Sequence, residues 1–292
     1  MTLSEQYVDQ IGRIYPHLSL ESVELLAGGQ YNDVLLVNEA VLFRFPKVPS
    51  AVTALKREVA VLSIIHPLLP LPVPEPLYVN GQNQGVGAAF MGYPRLPGES
   101  LWRADLEAIR DETILARMAR QLAEFLLALH DVPLAEFDPA AVPVEDDRTS
   151  WSGLYHRIRE HLYPHMRPEA RQRTRDTFTT FLDDPALASF EPTLRHGDFG
   201  AGNVLWEPES GTITGIIDFG SVAIGNPAID LASLAAGFGD TFLEHCARHY
   251  PVMPEMRPRM AFYRSTFALQ EALFGAENDD PVAFAAGMAG YT

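Results

Sequence analysis

Apolar and polar positions alternate in two runs near the start of the chain, VELLAGGQYNDVLLVN (23–38) and AVLFRFPK (40–47). That period of two predicts β-strands, the first broken at Gly28-Gly29 and the two separated by a turn at Asn38 and Glu39. In the second run the alternation puts Leu42 and Arg44 on one face and Phe43 and Phe45 on the other. The period then changes. In SAVTALKREVAVLSIIHPL (50–68), Leu55, Val59, Leu62 and Ile65 or His66 recur at helical spacing, and Pro67 closes the helix. LPLPVPEPLYVN is Pro-punctuated and extended. GAAFMGYPRLPGES reads as a strand ending in a Pro/Gly-rich connector.

Past that connector the pattern is mostly helical. ILARMARQLAEFLLALHDV carries a strong 3.6-residue period, residues 138–150 read as a polar loop, and YHRIREHLYPHM and ARQRTRDTFTTFLDD read as surface helices. Two short apolar runs, NVLWE and TITGIIDF, are joined by PESG, the pattern of a hairpin. Helices are expected from Asp230 onward. The pattern therefore divides the chain into a lobe of strands with one helix (1–93), a connector (94–98) and a larger lobe (99–292).

Composition narrows the function classes. With 47% apolar and 21% charged residues in 292, the chain can bury a full core. A net charge of −16 argues against nucleic acid, whose phosphates would repel it. The same charge suits a cationic small-molecule partner or ordinary solubility. The N-terminus has neither a basic start nor an apolar run, no stretch approaches 18 apolar residues, and Cys246 is the sole cysteine. These features predict a cytoplasmic protein without a membrane partner, as a monomer or weak dimer, with Cys246 a small core residue. His161 and His165 stand four apart without a third metal ligand and read as a surface pair.

The chemistry concentrates in HGDFGAGNVLWEPESGTITGIIDFG (196–220). A tight hairpin returns the chain, so Asp198 and Asn203 before it and Asp218 after it should converge. Carboxylate and amide oxygens suit Mg²⁺, with substrate phosphates completing its shell. Asn203 and Asp218 are then the metal ligands, Asp198 accepts the proton of an attacking hydroxyl, and His196 props the backbone near Asp218. A catalytic Asp, an Asn five positions on and a later Asp-Phe-Gly is the kinase pattern. Here His-Gly-Asp replaces His-Arg-Asp, only 14 residues (204–217) separate Asn203 from Asp218, and no Ala-Pro-Glu follows.

With the flanking SVAIGNPAIDLASL, this stretch resembles the aminoglycoside phosphotransferase family, including its macrolide kinase relatives, in the pattern HGDxxxxN … IDxxxxxxGxPxxDLA. FRFPK, EVAVL and LPLPVPEP extend the resemblance. It implies an α+β, protein-kinase-like two-lobed fold. An N-terminal antiparallel sheet with one main helix would face a larger, mostly helical C-terminal lobe holding a catalytic hairpin. It implies ATP or GTP as donor with Mg²⁺, and a hydroxyl acceptor. Aminoglycosides come first as acceptor, then macrolides, then a small metabolite. A non-catalytic nucleotide-binding protein is disfavoured because Asp198, Asn203 and Asp218 are all present.

On the nucleotide side, the positions matching the family's strand cation and helix acid are Arg44 and Glu58, with Lys47 as a second cation and a surface salt bridge as the bland alternative. The Gly28-Gly29 segment is a hairpin turn or a phosphate-covering loop whose N–H groups from Gly29 to Asn32 approach phosphate. The backbone near Met91 and Tyr93 would bond the base, with Phe90 behind it. On the acceptor side, Asp240, Glu244, Glu271, Glu277, Asp279 and Asp280 could hold amines or form a solvated face. Glu271 is the leading candidate. Asp230 is kept beside it, although it also reads as a helix residue tied to the catalytic loop. Trp102, Phe238, Phe262 and Tyr263 would line a macrolide pocket or fill the core.

Overall fold

Thr2 and Glu5 open the chain with reciprocal caps: the Thr2 side chain accepts from the Glu5 N–H, and the Glu5 carboxylate accepts from the Thr2 N–H. They start helix α1 (Leu3–Ile14) in the computed structural model, which describes residues 2–26, 29, 31–81, 84–145, 148–251 and 253–292. This helix is additional to the one expected in the first lobe. Tyr7 and Ile11, four apart, are its buried face.

Strands β1 (Val23–Leu26), β2 (Asn32–Val37) and β3 (Val41–Pro46) follow. Asn38 and Glu39 both take positive φ, 53° and 55°, as a two-residue turn matched to strand twist requires. Helix α2 (Pro49–Ile65) starts with proline, which fits a first turn whose N–H groups have no helical partner. Strands β4 (Tyr78–Asn80) and β5 (Phe90–Pro94) complete a five-stranded antiparallel sheet in the order β1-β2-β3-β5-β4. One face packs Phe43, Phe45 and Phe90 under α1, with the Tyr7 ring stacked on Phe45 at 3.8 Å. Arg44, on the other face, points to α2.

The chain crosses to the second lobe after Pro94, and β6 (Glu99–Ser100) already pairs there. The helices α3 (Arg103–Ala108), α4 (Glu112–His130), α5 (Arg148–His161), α6 (Pro168–Asp183) and α7 (Pro185–Ala188) follow. Strand β7 (Thr193–Arg195) leads into the hairpin of β8 (Val204–Glu207) and β9 (Thr212–Ile216), and β10 (Ala223–Gly225) returns to pair with β7. Helices α8 (Ala228–Phe238), α9 (Asp240–Ala247), α10 (Met253–Glu277) and α11 (Pro281–Met288) close the lobe. An antiparallel-sheet lobe and a helical lobe with a hairpin are the architecture expected from the pattern. Among the described residues, no helix is long and apolar enough to cross a membrane.

Candidate active site

The loop between β7 and β8 carries Asp198 and Asn203, and the residues just after β9 carry Asp218. Backbone bonding closes this arrangement, because the Ile217 N–H donates to the Asn203 carbonyl at 2.9 Å. The Asn203 amide donates to both the backbone oxygen and Oδ2 of Asp198, each at 2.9 Å. Its nitrogen is thereby committed to Asp198. Asp218 has φ of 64°, a left-handed conformation costly for a residue with a side chain. His196 is fully buried, and its Nε2 lies 3.1 Å from the carbonyl of Ile217.

Arg44 joins this loop to the first lobe. One of its terminal nitrogens donates to Glu58 at 2.7 Å and the other to Asp218 at 2.9 Å. Arg44 and Glu58 are 8% and 1% exposed, so this is a desolvated pair and not a surface one. Burial alone would lower the Arg44 pKa, but Glu58 and Asp218 outweigh it and raise it. Burial likewise pushes the Asp218 carboxyl up, and Arg44 with His196 overcomes this and holds it below the ordinary carboxylate range. Lys47 instead donates to the Gly29 carbonyl at 2.6 Å.

Two cavities meet at Asp198. The first, about 490 Å³, lies between the sheet, α2 and Asp218, and includes Gly29, Asn32, Arg44 and Glu58 in its wall. The Asn32 side-chain oxygen is buried there without a hydrogen-bond partner among the described residues. Gly28 and Gln30 of the expected phosphate loop lie outside the described residues. The second cavity, about 920 Å³, opens toward α5, α8 and α10 and includes Trp151, Phe267, Gln270 and Glu271. Asp198, Tyr31, Arg57 and Ser221 belong to both walls. The Tyr31 ring meets Phe274 edge-on at 4.9 Å, and its hydroxyl is pushed up to about 12 by burial first and then by Glu271, Asp198 and Asp218. This tyrosine from the glycine segment was not among the expected site residues.

Several expectations need correction. Met91 and Tyr93 do not offer backbone groups to a base. Strand β5 runs between β3 and β4, and the Arg95 N–H donates to the Ala40 carbonyl, so ladder alternation turns the polar groups of Tyr93 and Met91 toward β3. Phe90 sits under α1, on the far face of the sheet. Asp230 cannot touch an acceptor: it is 0% exposed beneath the catalytic loop. There its oxygens accept the N–H groups of His196 at 2.8 Å and Gly197 at 2.7 Å, and one lies 3.0 Å from His130 Nε2. Its lowered pKa follows: burial raises it, but His130, His196 and the Gly197 N–H more than compensate.

Most of the expected acceptor acids also lie elsewhere. Asp240 pairs with Arg264, Glu244 with Arg257 and Glu277 with Arg157, while Asp280 caps α11. Of those acids, only Glu271 reaches the larger cavity's wall. Phe238, Phe262 and Tyr263 are core residues, and Trp102 is 56% exposed. Cys246 is buried, its thiol pushed up to about 12 by burial.

Comparison with known proteins agrees with this geometry. A viomycin phosphotransferase from Streptomyces vinaceus is 28% identical over the full length of both chains. An aminoglycoside 3′-phosphotransferase from Streptomyces ribosidificus is 28% identical over 51% of this chain and 59% of its own. Among solved structures, the GDP and kanamycin complex of APH(2″)-IIIa superposes with a TM-score of 0.88 at 26% identity, covering 97% of this chain and 96% of that one. The model of the phosphotransferase enzyme family matches residues 22–263, which takes in the smaller cavity, the loops that carry Asp198, Asn203 and Asp218, and the larger cavity's wall short of its α10 residues Phe267 to Phe274. The chain belongs to that phosphotransferase enzyme family.

Proposed function

We propose that the chain transfers the γ-phosphoryl group of ATP or GTP to a hydroxyl of a small cationic molecule, with aminoglycoside antibiotics the first class. The reading rests on one observation: Asp198 borders both cavities, one walled by the Arg44–Glu58 pair and Asp218, the other by Glu271. The smaller cavity takes the nucleotide. Gly29 and Asn32 line the region that would receive its phosphates, and the buried side-chain oxygen of Asn32, without a partner among the described residues, marks that wall as polar. The connector at 94–98 is the hinge between a nucleotide lobe and a catalytic lobe.

Phosphoryl transfer is catalysed by positioning and charge neutralisation. Asp198, oriented by Asn203, accepts a hydrogen bond from the acceptor hydroxyl and takes its proton as the oxygen attacks phosphorus. Arg44, fixed by buried Glu58, keeps positive charge beside Asp218 and the phosphates. The Asn203 oxygen and the half-exposed Asp218 carboxylate form a hard-oxygen donor set that fits magnesium. When bound, Mg²⁺ neutralises charge on the nucleotide's outer phosphates. Glu271, on α10 in the wall of the larger cavity, receives an ammonium of the acceptor.

A second acceptor reading has its own support. A viomycin phosphotransferase matches over the full length of this chain, whereas an aminoglycoside 3′-phosphotransferase matches over about half of it. Nucleotide consumption with magnesium, measured against aminoglycosides, viomycin, macrolides and amino alcohols, tests both readings. Turnover confined to aminoglycosides supports the first, and turnover confined to viomycin the second. Turnover with neither sinks both readings.

A further inference from the structure

Every residue from Ile217 to Ser221 is held by a side chain from elsewhere. His196 meets the Ile217 carbonyl, Arg44 the Asp218 carboxylate and Glu58 the Phe219 N–H. The last two contacts come from a second set of charges. Arg57 of α2 donates to the Gly220 carbonyl at 2.6 Å, and Arg195 of β7 donates to the Ser221 carbonyl at 2.9 Å. These arginines belong to different lobes, and one carboxylate joins them. Glu145 accepts from Arg195 at 2.7 Å through one oxygen and faces Arg57 at 3.5 Å through the other. Glu145 is itself anchored to the strand that follows the segment, since its N–H donates to the Ile224 carbonyl at 2.8 Å.

Gly197 shows how closely the parts fit. It takes φ of +88°, and a Cβ there would collide with the Arg195 guanidinium and the Ser221 carbonyl together. The glycine between His196 and Asp198 thus leaves room for the Arg195–Ser221 bond. Arg57 and Arg195 are 18% and 6% exposed at the side chain, so their bonds to carbonyls form where water competes little. Asp218, meanwhile, holds a left-handed conformation that only over-determined surroundings sustain.

We propose that Arg57, Glu145 and Arg195 form a clamp that positions the Asp218 segment for metal binding, acting through the Gly220 and Ser221 carbonyls. None of the three need touch the reacting atoms. Glu145 holds the two guanidiniums in register, and they hold the backbone that aims Asp218. The clamp rests on the reading of Asp218 as a magnesium ligand.

Full-length Glu145→Gln tests it, because Glu145 is 40% exposed and the amide conserves its shape. Three quantities are measured against wild type: amide exchange across 217–222 in the ligand-free protein, nucleotide affinity by calorimetry with and without Mg²⁺, and the Mg²⁺ concentration for half-maximal turnover. Supporting ligands of a metal site are typically worth about 10- to 100-fold in metal affinity. The expected result is faster exchange across 217–222, with Mg²⁺-dependent nucleotide affinity about tenfold weaker and metal-free affinity unchanged. Unchanged exchange and unchanged magnesium dependence would overturn the clamp. Asp218→Asn serves as the control. If it raises the magnesium requirement while Glu145→Gln does not, the clamp falls and the metal assignment stands. If Asp218→Asn does not move it either, both fall.

Discussion

The cavity proposed for the nucleotide donor and the one proposed for the acceptor share Asp198 but hold their charges differently. On the donor side Arg44 is bonded to both Glu58 and Asp218, with Arg44 and Glu58 desolvated. On the acceptor side Glu271 is exposed, and the acids Asp240, Glu244 and Glu277 lie off the cavity wall, paired with arginines. The reason lies in what each side must do. Phosphoryl transfer needs the same charge placement in every turnover, and in the proposed reaction a buried Arg44–Glu58 pair bonded to Asp218 provides it. Acceptor recognition needs a surface that can differ between relatives, and exposed side chains on helices provide that.

Substitutions across this boundary should therefore differ in size. Asp198→Asn strikes the point common to both cavities. A positioned general base contributes about 10²- to 10⁴-fold, so turnover should drop by that range while calorimetric nucleotide affinity holds within about twofold. Near-wild-type turnover in this variant would remove Asp198 from the chemistry and dissolve the comparison with it.

Legibility in the sequence follows the same divide. The catalytic stretch could be read because a hairpin forces residues at its two ends together whatever the rest of the chain does. Asp198, Asn203 and Asp218 needed only that local geometry to be brought into one place. Arg44 and Glu58 were legible through the family resemblance, which implies a strand cation and a helix acid at their positions, with strand alternation setting Arg44 apart from Phe43 and Phe45. The roles of Asp230, Met91 and Tyr93 were not, because burial and ladder direction depend on partners distant in sequence. Asp230 meets His130, which is 100 residues away. The acceptor acids were misplaced for a related reason: Glu277 finds Arg157 across 120 residues, and no periodicity records that. Helix α1 was legible, since Thr2 and Glu5 spell its capping box and Tyr7 and Ile11 its buried face, yet the strand pattern that follows dominates the first lobe.

Asp230 carries the donor-side logic beneath the loop, so Asp230→Asn should be the largest change in stability. Breaking a buried charge arrangement by altering one partner costs about 3–5 kcal/mol, which a denaturant midpoint would report. The pH dependence has a definite sign. The folded-state pKa of Asp230 is lowered, so its contribution is present above the unfolded value near 3.8 and is lost as pH falls through the lower folded value. Wild type should lose stability on acidification below about 3.8 more steeply than Asp230→Asn does. Parallel acid profiles for the two proteins would show that the buried carboxylate is not held as an anion.

Glu271→Gln tests the acceptor side alone. A hydrogen bond to a charged group is worth about 1.5–3 kcal/mol, so acceptor KM should rise by roughly tenfold or more with nucleotide KM unchanged. A fall in turnover at saturating acceptor, with KM unmoved, would place Glu271 in the chemistry and erase the divide between the cavities.

The smallest effect is expected at the outer acids, and it sharpens the comparison most economically. Asp240 is 71% exposed at the side chain and already paired with Arg264, 41% exposed. An exposed pair of this kind contributes little, and salt screens what remains. Asp240→Asn should therefore shift acceptor KM by less than about twofold, and raising ionic strength should reduce even that. If cationic acceptors are instead drawn in by the −16 net charge, Asp240→Asn would lower the acceptor on-rate in proportion to the charge removed, leaving dissociation unchanged. Stopped-flow association at two salt concentrations separates these outcomes. A salt-sensitive loss confined to the on-rate would make the acceptor side a field spread over the whole surface, and Glu271 only its innermost charge.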